Sequence, residues 1–275
     1  MKVLYYDCFC GISGDMNVGA LLDVGVDEDY LRQELSKLNL DAEYELQVKK
    51  DNKQGISGTR VDVVLKNAMH VQEPSDHHHH EAQISIESDN HHTHRDHHAH
   101  RNLQDIESII INSSLNDKVK KLSLTIFMKI AEAEAKVHGK PLDEVHFHEV
   151  GAVDSIIDIV GAAVCLDYLK VDKIIASAVQ LGGGFVKCAH GIIPVPAPAT
   201  VEILKNIPVK SGIVPFETTT PTGAAILAAN VGTFTDHMDF SIEKIGYGIG
   251  HRELEIPNVL RVFLGWEDRN NKRAD

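Results

Sequence analysis

Lys2-Val3-Leu4-Tyr5-Tyr6-Asp7-Cys8-Phe9-Cys10-Gly11-Ile12-Ser13-Gly14-Asp15-Met16 is the stretch that decides the class of fold. Lys2 to Asp7 reads as a short apolar strand, and Met16 to Val24 spaces its apolar residues as a helix does. The order is therefore strand, glycine loop, helix. Gly11 and Gly14 open backbone conformations closed to other residues. Ser13 is a natural helix cap, and a helix start with free N–H groups is a ready anion site. The loop matches neither the Walker nor the dinucleotide fingerprint, so substrate binding by Gly11, Ser13 and Gly14 stands beside a plain tight turn. Asp7 and Asp15 add acid groups able to orient a metal or take a proton, which makes them the candidate catalytic residues. Cys8 and Cys10 are either soft metal donors or small buried apolar residues.

Outward from there the pattern alternates. Asp29 to Leu38 reads as a helix. Glu43 to Lys49 and Thr59 to Leu65 alternate across a polar, glycine-containing turn, as a hairpin does. Leu103–Ile111 and Leu115–Val137 read as helices, the second capped by Ser114 and stopped by Gly139 and Pro141. The apolar run Ile156 to Leu169 is a buried helix, Lys173 to Val179 a strand, and Asp239–Ile245 with Asn258–Gly265 a late strand pair. This predicts α/β (or α+β) architecture, a mixed β-sheet with packed helices. Residues 1–66 form an N-terminal α/β segment and 102–275 the main segment, co-folded with it.

Residues 67–101 differ in kind. They hold eleven of the seventeen histidines, among them His77, His78, His79, His80, His91, His92, His94, His97, His98 and His100, interleaved with acids and few apolar residues. Such a stretch cannot bury a core, so a disordered loop is expected. Imidazoles at this density bind divalent metal loosely, as a reservoir does.

A second histidine pattern lies in Val145-His146-Phe147-His148-Glu149-Val150-Gly151-Ala152-Val153-Asp154. In extended backbone His146 and His148 share a face, and Glu149 and Asp154 add carboxylates, giving a borderline ligand set for Zn, Ni, Cu or Fe. A hydrogen-bonded structural cluster, with Asp154 or Ser155 as an ordinary helix cap, is the alternative. Further on, Leu181-Gly182-Gly183-Gly184-Phe185 either lets the backbone at Gly183 approach a ligand or turns the chain. Thr219, Thr220 and Thr222 could hold a phosphate or carboxylate, or Thr220 simply caps a buried helix that starts at Pro221.

Length and charge set the bounds. The 275 residues suffice for a sizeable core. A net charge of −13 argues against general binding of nucleic acid or anionic membrane and agrees with cation binding. No apolar run approaches a membrane span, the first residues read as a strand rather than a signal peptide, and four cysteines show no disulfide framework, so cytoplasm is expected.

Taken together, Asp7–Met16, His146–Asp154, Pro194-Val195-Pro196-Ala197-Pro198-Ala199 and Thr219-Thr220-Pro221-Thr222-Gly223-Ala224-Ala225 resemble the LarC family of nickel-insertion proteins. The resemblance runs from the first strand to about Gly265, and the internal histidine-rich stretch fits it. It implies insertion of Ni(II) into pyridinium-3,5-bisthiocarboxylic acid mononucleotide by a nickel chelatase (cyclometallase) of the lyase class, giving the nickel-pincer cofactor used by lactate racemase. It also implies CTP with Mg(II) or Mn(II), and a C-terminal domain, sometimes separately encoded, that longer members carry. A homo-oligomer is expected. Cys10 stands where the family usually has Ser. The rivals from other classes are a nickel metallochaperone or storage protein, built on the histidine-rich stretch, and a metal-dependent hydrolase.

Overall fold

A computed structural model describes residues 1–66, 101–145, 147, 151–188 and 191–267. Its centre is a seven-stranded sheet in the order β2-β3-β10-β11-β1-β4-β9. The strands are β1 (Lys2–Asp7), β2 (Tyr44–Lys53), β3 (Ile56–Leu65), β4 (Lys173–Ala176), β9 (Thr233–Phe234), β10 (Ser241–Ile249) and β11 (Val259–Trp266). β1 runs parallel to β4 and β4 to β9, while β11 is antiparallel to both β1 and β10, and β10 is parallel to β3. Hence β1, β3, β4, β9 and β10 all point one way, and only β2 and β11 oppose them. The sheet is mixed and the class is α/β, as the alternating pattern predicts. Two small sheets, β5 (Val179–Gln180) with β8 (Val209–Lys210) and β6 (Phe185–Cys188) with β7 (Gly191–Pro194), lie outside it.

The helices are α1 (Gly14–Asp23), α2 (Glu28–Ser36), α3 (Leu103–Asn112), α4 (Asp117–His138), α5 (Val153–Leu169), α6 (Pro198–Ile203) and α7 (Pro221–Asn230). Their apolar sides join Leu4, Tyr6, Leu260, Val262 and Leu264 of the sheet in one large core. The alternate residues Val3, Tyr5, Ile175 and Phe263 form a small cluster under Phe240 on the other face, as the period of two requires. Residues 1–66 and 102–267 thus share one sheet and one core.

Most elements fall where their periodicity puts them, and the helix starts differ in detail. α4 begins later than expected, with Asn116 rather than Ser114 as its cap, accepting from Val119 N. α5 begins earlier: Ala152 occupies the cap position with no side-chain bond, so neither Asp154 nor Ser155 caps the helix. The expected strand Lys173–Val179 is split into β4 and β5.

α1 is the element that positions the site. It returns antiparallel to β1 and lies close on β3 and β10, where glycines remove the bulk between them: a Cβ at Gly248 would fall on the Met16 carbonyl. Against α5 the pairs Gly14–Asp158 and Val18–Gly161 advance together. The two helices are therefore parallel and both start at the carboxyl edge of the five co-directional strands. Among the described residues no helix is long and apolar enough to cross a membrane.

Candidate functional site at the carboxyl edge of the sheet

In open α/β sheets, ligands bind beyond the carboxyl ends of the strands. Here that edge holds a cavity of about 560 Å³ lined by Asp15, Val61, Asp62, Val63, Val64, Asp154, Asp158 and His251. Asp15 comes from the first turn of α1, Asp154 and Asp158 from the first two turns of α5, and His251 from the loop after β10. The wall is the end of β3. The volume lies within the range of small-molecule sites.

His251 ties three elements together. Its Nε2 lies 3.1 Å from Asp15 Oδ2 and 3.2 Å from Asp62 Oδ1, and Arg60 Nη2 lies 2.7 Å from Nδ1. The bond to Asp15 raises the imidazole's pKa, with burial and Arg60 working against it. Asp62 is further held by Arg60 Nε at 3.1 Å and Lys49 Nζ at 3.2 Å; burial works to raise its pKa, but those hydrogen bonds bring it below the usual value. Ser13 donates its hydroxyl to Asp15 instead of capping α1. Asp158 has a carboxyl whose pKa is pushed well above the carboxylate range, first by burial, then by the charges of Asp15 and Asp154. It makes no hydrogen bond or ion pair with any described residue. Among the described residues no group of three or more His, Cys, Asp or Glu side chains is arranged as a ready metal site.

The other sequence candidates distribute as follows. Asp15 and Asp154 line the cavity and Asp7 does not. Asp7 accepts from Arg261 Nε at 2.9 Å, and Arg261 lies over the rings of Phe9 and Phe263 at 5.6 and 5.0 Å. Gly11, at φ 78°, lies so close to the Thr218 carbonyl that no side chain fits. Ile12 and Thr219 form a parallel bridge just before α1 and α7, so these two helices start side by side. Thr219 donates to the Gln180 carbonyl at 2.6 Å, Thr220 accepts from Gly223 N at 3.2 Å, Thr222 is buried, and Gly183 N donates to Phe216 O at 3.1 Å. Cys8, Cys10 and Cys165 are buried and free, with burial pushing Cys10 up to about 11. His146, His148, Glu149 and the reservoir histidines 77–80, 91, 92, 94, 97, 98 and 100 lie outside the described residues. The described chain on either side of residues 67–100 is tied to one residue: Lys66 N donates to the Glu43 carbonyl at 3.0 Å, and Arg101 Nη2 reaches both Glu43 carboxylate oxygens at 2.7 Å.

Sequence reasoning assigned no role to Asp62, Asp158 or His251. A signal existed for Asp158, because Asp154 and Asp158 are spaced i, i+4 at a helix start and so share a face. Asp62 and His251 are joined only by the fold.

A carboxylate-rich cavity at the strand ends of an α/β sheet lies where proteins of this fold class bind their ligands. The particular family follows from comparison. Residues 4–275 match the family described as "Nickel insertion protein", and the chain belongs to it. The chain is 65% identical over 272 residues to the pyridinium-3,5-bisthiocarboxylic acid mononucleotide nickel insertion protein of Clostridium kluyveri, covering 99% of this chain and 64% of the relative. It is 67% identical over 272 residues to the like-named protein of Clostridium acetobutylicum, covering 98% and 65%. With that of Acetivibrio thermocellus it shares 48% over 277 residues, covering 100% and 63%. The chain thus spans less than two thirds of the length of these relatives. No solved structure matches it.

Proposed function

We propose that this chain carries the nickel- and substrate-handling part of an enzyme that inserts Ni(II) into pyridinium-3,5-bisthiocarboxylic acid mononucleotide. The observation that carries the proposal is the cavity where Asp15, Asp62, Asp154, Asp158 and His251 meet, in a chain of the nickel insertion family. The charge sets the order of binding. Four carboxylates repel a substrate that brings a phosphate and two thiocarboxylates, and a divalent cation removes that repulsion. Nickel therefore enters first, toward the Asp154 end that the His146–Glu149 run precedes in sequence, and the two sulfurs follow it. Metal held by sulfur then lies over the ring carbon, where proximity and metal acidity lower the barrier to losing the C–H proton. The adjoining starts of α1 and α7, with Gly11, Ser13, Gly14, Gly183, Thr219, Thr220 and Thr222 around them, receive the phosphate. Asp15 takes part in proton transfer, and Asp7 holds Arg261 at the end of β1.

The remaining parts of the proposal are CTP with Mg(II) or Mn(II) as co-substrate and ion, a C-terminal portion like that of the longer relatives, a homo-oligomeric enzyme in the cytoplasm, and lactate racemase as recipient of the nickel-pincer product. The test is nickel insertion by this chain alone, and then with the C-terminal third of the Clostridium kluyveri relative, with CTP and Mg(II) or Mn(II). Product is read by mass and by racemase activation. Insertion in either form supports the proposal, and nickel binding without insertion in both forms sinks it.

The second reading is a nickel store, favoured by the eleven histidines of residues 67–101. Deleting residues 67–100 distinguishes the two. An inserting enzyme keeps its turnover at saturating nickel, whereas a store loses most of its bound nickel and its purpose.

A further inference from the structure

We propose that Asp158 is the group that takes the pyridinium ring proton displaced by nickel, and that the Asp15–His251 pair passes this proton out to solvent. The inference rests on the nickel-insertion reading and names the base within it. The step balances without a redox partner. The C–H electron pair becomes the nickel–carbon bond, nickel stays divalent, and the proton goes to the Asp158 carboxylate.

A proton acceptor needs a free lone pair, a fixed position and an open side toward the substrate. The carboxylates of the edge differ in just these respects. Asp7 is taken up by Arg261, and Asp62 by Arg60, Lys49 and His251. Asp15 accepts from Ser13 and faces His251. Asp154 lies exposed one turn nearer the start of α5 and has interactions of its own. Asp158 lines the cavity and makes no hydrogen bond or ion pair with a described residue. Its position is fixed by close helix packing: a Cβ at Gly14 would sit 2.6 Å from Asp158 Cβ, so α1 presses directly on this side chain. Gly161, one turn on, meets Val18 in the same seam. The way out is also built. Asp15 is 19% exposed and His251 50% exposed, and their contact leads from the cavity to the surface. Enclosure of the Asp158 carboxyl, with the charges of Asp15 and Asp154 nearby, raises its proton affinity.

The experiment is single-turnover nickel insertion with substrate deuterated at the metallated ring carbon. It uses this chain supplied with the C-terminal third of the Clostridium kluyveri relative. Asp158→Asn is expected to slow insertion by roughly 10²- to 10⁴-fold. It should also enlarge the hydrogen–deuterium isotope effect, because C–H cleavage becomes limiting. Nickel binding measured by equilibrium dialysis allows the insertion rates of wild type and variant to be compared at equal metal loading. Asp158→Ala supplies a second arm, in which added formate restores part of the rate by occupying the vacated space. Insertion by Asp158→Asn at close to the wild-type rate, or an isotope effect equal to wild type together with no formate rescue, overturns the assignment. A wild-type protein that inserts no nickel overturns the nickel-insertion reading itself, a result distinct from the first.

Discussion

The two ends of the central sheet treat charge in opposite ways. At the amino ends of β1 and β4 several charges are paired. Lys2 N donates to Asp172 at 2.7 Å and Lys2 Nζ to the Leu169 carbonyl at 2.8 Å, Lys173 pairs with Glu267 at 3.2 Å, and the Met1 amine donates to the Glu267 carbonyl at 2.8 Å. At the carboxyl ends, Asp15, Asp62, Asp154 and Asp158 crowd one cavity around the His251 imidazole, and burial with the neighbouring charges of Asp15 and Asp154 raises the pKa of Asp158. One end is tied together by opposite charges and backbone groups. The other gathers four acids around Lys49, Arg60 and His251. Groups forced from their ordinary protonation state in a cleft mark function with better odds than paired groups do.

The largest expected break of this contrast is chemical. Asp15→Asn removes the contact between cavity and His251, and should lower nickel insertion by about 100-fold. The product assay under saturating nickel checks it, with Lys173→Gln at the paired end as the unaffected control. Next in size is a packing change. Gly14→Ala drives a methyl into Asp158, and should destabilise the fold by ~1–3 kcal/mol, read from urea unfolding.

Asp158→Asn sharpens the contrast from the stability side. The folded carboxyl holds its proton to higher pH than the unfolded one, so ionising it works against folding. Stability therefore falls as pH rises from about 4, the unfolded value, through the raised folded value. The variant escapes this and should be more stable than wild type at pH 7 by ~1 kcal/mol, with the gain vanishing toward pH 4. Melting curves across that range give the answer, and a variant less stable at pH 7 would contradict the account.

His251→Gln is the smallest. Because Asp15 raises the imidazole's pKa, the pair stabilises the fold fully below about pH 6.5 and loses that contribution as pH rises through the folded value. The site is half exposed, so a few tenths of a kcal/mol are expected. The melting temperature of wild type should fall toward that of the variant between mildly acidic and alkaline pH.

How much of this was legible differs by element. The strand–loop–helix of residues 2–24, both hairpins and the long helix α4 follow from apolar periodicity and turn chemistry, which are local properties of the chain. α5 starts earlier than its sequence suggests, because Asp154 looks like a cap while its carboxylate instead lines the cavity. Asp7 and Asp15 were indistinguishable as acids of one motif. The alternation of β1 sends Asp7 to Arg261, while α1 carries Asp15 over the edge. The hydroxyls of Thr219 and Thr220 read as ligand donors, yet each bonds backbone within the fold.

The sequence by itself determined the class of fold, the family resemblance and the acidic, histidine-rich character of the chain, because these depend on composition and on neighbours a few residues apart. Only the tertiary structure decided which acids meet. Asp15, Asp62, Asp158 and His251 lie on α1, β3, α5 and the loop after β10. What joins them is the common direction of five strands and the close glycine-lined packing of α1 against α5. Those relations join segments far apart in the sequence, and no local pattern records them.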